Sequence, residues 1–175
     1  MSVIDQMASV EHIPLRTFLL DGVLRFTQAT SGLPGVLRIA LVGSLVTSKA
    51  FPKDADVLVT VNLDSNLDRL AKAGRALKGF AQTRNSGADI FLSNLDGQYL
   101  GRICHWRDCR PGVRLACRAQ HCGQREFLND DLHDVNLSPS LVAAPPIELW
   151  PSVVRRIAVP ADVEEVLLGT LQARG

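Results

Sequence analysis

Two spacings of apolar residues alternate along this chain. From Ile13 through Leu15, Phe18, Leu19, Val23, Leu24 and Phe26 the apolar side chains recur every three or four residues, the rhythm of a helix that buries one face. Thr30-Ser31-Gly32-Leu33-Pro34-Gly35 ends it, because glycine and proline both interrupt a helix. Val36 to Val42 is then an apolar run of strand length that stops at Gly43-Ser44. After a polar connection containing Pro52, a β-branched run follows through Asp54-Ala55-Asp56 to Val61. Strand, turn and strand are expected. A second helix is expected over residues 66–80, capped by Asp64 or Ser65. Leu67, Leu70, Ala71, Ala73, Leu77 and Phe80 lie on its apolar side, and Arg69, Lys72, Arg75 and Lys78 lie opposite.

The second half of the chain is less regular. Strands are expected around Asp89, in Gly87-Ala88-Asp89-Ile90-Phe91-Leu92, and over residues 99–103 after a turn at Asn94-Leu95-Asp96-Gly97. Residues 141–149 are apolar but contain Pro145-Pro146, which suits an edge or irregular segment better than a central strand. Residues 153–159 read as a last strand. A closing helix over 162–172 has Asp162, Glu164 and Glu165 in its first turn, where the helix dipole favours acids. The pattern predicts one α+β domain, a small mixed sheet with helices mainly on one face. Its parts are a core over about residues 9–100, a cysteine-rich loop over 101–126, and a C-terminal strand and helix over 127–175.

Composition narrows the class without naming a function. A length of 175 residues, 46% hydrophobic and 21% charged, belongs to an ordinary globular domain with enough apolar surface for its own core. No apolar run approaches the ~20 residues of a spanning helix. Residues 1–11 have neither a basic start nor an apolar centre, so a cytoplasmic protein with no membrane association is expected. The formal charge of +1 gives no long-range pull on nucleic acid, and any such contact must come from a local patch.

Chemistry concentrates at the first strand pair. Alternate side chains of a strand share a face, so Asp54 and Asp56 point the same way. Like charges that close repel, and their desolvation is costly, which is the usual reason for a divalent cation between them. Gly43-Ser44, nine residues, then Asp54-x-Asp56 entering an apolar strand, with a further acid at Asp89 on a later one, resembles the polymerase-beta-like nucleotidyltransferase superfamily over roughly residues 36–92.

The resemblance implies a nucleotidyltransferase-like fold and a magnesium-dependent enzyme that moves a nucleoside monophosphate from a nucleoside triphosphate to an acceptor hydroxyl on RNA, protein or a small molecule. It implies that Asp54, Asp56 and Asp89 are catalytic and hold two magnesium ions, and that Gly43 and Ser44 lie against the triphosphate. Lys49 is a candidate for the same phosphates; solvated turn residues are the alternative for Lys49 and Lys53. Small members of the superfamily often work with a helical partner protein, so a binding or regulatory module is the rival reading. Arg84, one short turn before the third acid, is expected near the site.

All four cysteines fall in Cys104-x4-Cys109-x7-Cys117-x4-Cys122, with His105 and His121 adjacent. Soft ligands clustered in a polar, Gly-Pro-broken segment point to a structural zinc loop; two disulfides and ordinary thiols are the alternatives. The same stretch carries Arg102, Arg107, Arg110, Arg114, Arg118 and Arg125 with Trp106 between them. It is either a phosphate- and base-contacting loop, which would make the chain a zinc-dependent RNA-binding protein, or a solvated basic face.

Overall fold

The computed structural model describes residues 13–62, 64–107, 109, 125–130 and 132–175. Helix α1 (Leu15–Thr30) begins directly after Pro14 and leads to strand β1 (Val36–Val42). A single 3-10 turn, Gly43–Val46, joins β1 towards β2 (Asp54–Val61). Helix α2 (Asp68–Gln82) connects β2 to β3 (Gly87–Ser93), and β4 (Tyr99–Ile103) follows. The two-residue strand β5 (Leu128–Asn129), a short helix α3 (Pro139–Ala143), β6 (Ile147–Trp150) and β7 (Val154–Arg155) come next. The chain closes through a π-wound stretch, Val163–Leu168, running into α4 (Gly169–Ala173).

The seven strands among the described residues form one mixed sheet in the order β5-β4-β3-β2-β1-β6-β7. Only the central β2–β3 pair is parallel, as two strands joined by a crossover helix must be; the other pairs are antiparallel. The main core lies on the helix-covered face. Ile39 and Leu41 of β1, Val57 and Val59 of β2, Ile90 and Leu92 of β3 and Ile147 of β6 are all fully buried there against Leu19, Leu20 and Val23 of α1 and Leu167 and Leu168 of the closing helix. Helix α1 meets α2 through Phe18 stacked on Phe80, ring centroids 4.1 Å apart. On the opposite face a smaller cluster of Ala40, Val42, Leu58 and Phe91 is capped by Leu137 and Leu141. Arg38 fastens that cover, donating to the Val142 carbonyl at 2.6 Å and to Thr60 at 3.2 Å.

Several details depart from the sequence pattern. Helix α2 starts two residues later than expected; its first turn is held by Asn66, whose Oδ1 accepts from the Asp68 amide at 2.9 Å. The expected final strand shrinks to Val154 and Arg155: the Arg156 amide still donates to the Pro146 carbonyl at 2.9 Å, but Pro146 has no amide to carry the ladder further, and Ile157 is exposed. Conversely, residues 147–150 are a true strand lying between β1 and β7, since Pro145 and Pro146 stop just short of it. No helix among the described residues is long and apolar enough to cross a membrane.

Candidate active site

The acids of the sequence pattern come together at one end of the sheet. Asp56 and Asp89 are register partners on the parallel β2–β3 pair, and Asp54 is opposite Gly87. Their alternation with buried Ala55, Val57, Ala88 and Ile90 puts all three carboxylates on the face away from α1 and α2. Each is half-buried.

Gly43 closes the site from the neighbouring strand. Val42 pairs with Asp56 across β1–β2, so the chain leaving β1 passes directly over that carboxylate. Gly43 adopts φ 73°, and a Cβ there would come within 3.0 Å of both Cβ and Cγ of Asp56. Only glycine meets both conditions without moving the acid. Gly87 also lies close to Asp54, without that backbone constraint: a Cβ on it would be 3.4 Å from Asp54 Cγ and closer still to Oδ1.

Burial, followed by the charges of Asp89 and Asp54, pushes the Asp56 carboxyl up from 3.8 to about 7. Arg102 of β4 offsets part of this crowding, with its Nη1 3.2 Å from Asp89 Oδ1. Among the described residues, no three side chains of His, Cys, Asp or Glu converge closely enough to hold a metal ion as they stand. The donor set nevertheless fits magnesium in chemistry: hard carboxylate oxygens on adjacent strands, beside a backbone segment where any side chain would displace Asp56.

The Gly-Ser turn is held by a residue that the sequence reading does not single out. Arg16 projects from the buried stripe of α1, donating from Nη2 to the Leu45 carbonyl at 3.1 Å and from Nη1 to the Lys49 carbonyl at 2.9 Å. Its remaining donors form a bidentate pair with Asp162 ahead of the closing helix, at 2.7 and 3.1 Å. One guanidinium therefore joins α1, the turn after β1 and the closing helix. The signal was an arginine in register with Leu19, Leu20 and Val23, where a solvated cation does not belong. Thr47 adds a local brace, its hydroxyl donating to the Ser44 carbonyl at 2.7 Å. Gly43 borders Asp56, Ser44 follows it in the same turn, and Lys49 is exposed on the connection beyond them.

Other expected contributors fall elsewhere. Arg84 does not approach the acids; it donates to the Ile13 carbonyl at 3.1 Å and lies over the Phe18 ring. Of the basic segment, Arg102 is paired with Asp89, and Arg125 donates to the Ser65 carbonyl, so neither belongs to a merely solvated face. Cys104 and Cys109 are buried in the main core, where Cys109 Sγ accepts from the Phe127 amide at 3.2 Å. Cys117 and Cys122, with Arg110, Arg114, Arg118 and His121, lie outside the described residues. His105 sits between these regions: burial, then Lys78, pushes its imidazole down to about 4, with Arg102 and Arg75 adding to the shift and Asp89 opposing it. It is therefore neutral at neutral pH.

The chain matches no protein-family model, curated protein or solved structure.

Proposed function

We propose that this chain is a nucleotidyltransferase of the polymerase-beta-like kind, with Asp54, Asp56 and Asp89 as its catalytic acids. The observation that carries the reading is the register of Asp56 against Asp89 on adjacent parallel strands, with Gly43 packed over Asp56. Three carboxylates crowded enough to hold a proton on Asp56 near neutral pH call for a counter-charge that Arg102 alone supplies only in part.

Asp54, Asp56 and Asp89 would hold magnesium, which when bound supplies charge neutralisation for the phosphoryl oxygens. Gly43 and Ser44 border the triphosphate and Lys49 contributes a positive charge to it. Asp89 orients the acceptor hydroxyl and takes its proton as the acceptor oxygen bonds to the α-phosphorus; the bond to the β-phosphate breaks and pyrophosphate leaves. To do so Asp89 gives up its contact with Arg102. Incubation with triphosphates labelled at the α-phosphate, with magnesium and a cell extract as acceptor source, should transfer label to an acceptor, whereas the Asp89→Asn variant transfers none. Equal labelling by that variant would remove Asp89 from the mechanism.

The Arg102–Asp89 pair also favours a second reading, a nucleotide-binding module that performs no transfer and works with a partner protein. In that case Arg102 serves as a permanent counter-ion to the third acid. Replacing it separates the two: Arg102→Met leaves an enzyme able to bind magnesium at least as well as the wild type, whereas a binding module loses nucleotide affinity. We further propose that the cysteine segment, through Cys104, Cys109, Cys117 and Cys122, holds a structural zinc ion. Elemental analysis should find one zinc per chain, and its absence from protein purified without chelators would refute the assignment.

A further inference from the structure

We propose that Phe51 is a nucleobase-stacking residue at the mouth of the carboxylate site, with Lys49 and Lys53 taking the phosphate of the same ligand. This rests on the nucleotide-handling reading above and adds a recognition element to it. Phe51 is 79% exposed, the most exposed of the large apolar side chains among the described residues. A single exposed apolar residue is ordinary, and Leu95, 76% exposed in the turn before β4, is such a case. Phe51 differs in how it is held and in what surrounds it.

The connection that carries it is pinned on both sides. Arg16, itself buried, holds the Leu45 and Lys49 carbonyls. At the other end the Gly87 amide donates to the Lys53 carbonyl at 3.1 Å, fixing the entry to β2 against β3. Pro52, the next residue, is buried, so the backbone is anchored at the point where the ring of Phe51 faces solvent. An aromatic ring kept in water by a fixed backbone is pre-organised for a planar partner. Phe51 is three residues ahead of Asp54, at most about 11 Å of extended chain, so a bound base lies within one nucleotide of the acids. Exposed Lys49 and Lys53 flank the ring two residues to either side, where a base stacked on Phe51 would carry its phosphate. Aromatic stacking with adjacent cations is the usual means of binding a base without reading its edge.

The base has two sources, the donor triphosphate or a single-stranded nucleic acid acceptor, and binding measurements on the full chain separate them. The probes are the four nucleoside triphosphates with magnesium, single-stranded oligonucleotides of about ten residues, and inorganic tripolyphosphate with magnesium, which has phosphates but no base. Phe51→Ala is expected to keep the wild-type melting temperature and to weaken nucleotide binding about 5- to 100-fold while leaving tripolyphosphate unchanged. Phe51→Trp should restore affinity. Loss for the triphosphates assigns the ring to the donor base, and loss for oligonucleotides alone assigns it to the acceptor. Unchanged nucleotide and oligonucleotide affinity in Phe51→Ala, or an equal loss for tripolyphosphate, overturns the inference. If Asp54→Asn still abolishes the magnesium-dependent binding, the carboxylate reading stands without it. No binding of any nucleotide by the wild type overturns both.

Discussion

At the scale of single residues, the site is a concentration of unfavourable charge. Asp56 is held up at about 7 by burial and by Asp89 and Asp54, whereas in the unfolded chain it ionises near 3.8. The folded state therefore retains a proton that the unfolded state releases, and the sign follows: stability falls as pH rises from about 4 to about 7 and levels off above. Asp56→Asn removes this dependence. The variant should be more stable than the wild type at pH 8 without divalent cations, and the difference should shrink at pH 5, as read by urea denaturation. A variant less stable than wild type at pH 8 would mean that Asp56 is not crowded. The pairing of Asp54 with Asp56 on one face was legible from alternation alone. The crowding was not, because it depends on β3 lying parallel to β2 with Asp89 opposite Asp56, a pairing between segments more than thirty residues apart that the alternation within either strand does not state.

At the scale of elements, the strong periodic segments were legible and the short ones were not. Strands β1 to β4 and the two long helices form where the apolar spacing placed them, since each has enough buried residues to specify its own face. Strand β5 has two residues and exists because Arg102 and Ile103 offer it a partner edge; nothing in Leu128-Asn129 itself encodes that. The closing helix was read correctly in place, but its π winding over Val163–Leu168 has no periodic signature.

The contact that fixes this helix to the site is Arg16–Asp162, and it makes a prediction at this scale. The Arg16 guanidinium holds the Asp162 carboxyl below the usual carboxylate range. The pair therefore stabilises the fold above the ordinary aspartate pKa and loses that contribution as pH falls through the lowered one. Arg16→Met leaves a half-buried carboxylate and two carbonyls without donors. Asp162 is 30% exposed, so the cost should be about 2–3 kcal/mol, below the ~3–5 of a fully buried pair. In calorimetry that corresponds to a melting temperature lowered by roughly 5–10 °C at pH 7, with the gap to wild type closing under acid. A gap unchanged at pH 3 would show that Asp162 is not the partner that matters.

At the scale of the whole molecule, the sheet keeps its two faces distinct. One is covered by α1, α2 and the closing helix and supplies most of the core; among the described residues the other is covered around Leu58 and Phe91, and the acid-bearing end of β2 and β3 is half-exposed. Arg16 and Gly43 tie the two together, the first from the core side and the second from the turn above Asp56. The central claim is that this open end binds a magnesium-nucleoside triphosphate. The most direct test is thermal stability against each of the four triphosphates, with and without magnesium, for the wild type and Asp54→Asn. A rise in melting temperature for at least one triphosphate, present only with magnesium and lost in the variant, is the result expected. A wild type that no triphosphate shifts, or a variant that shifts equally, would contradict it.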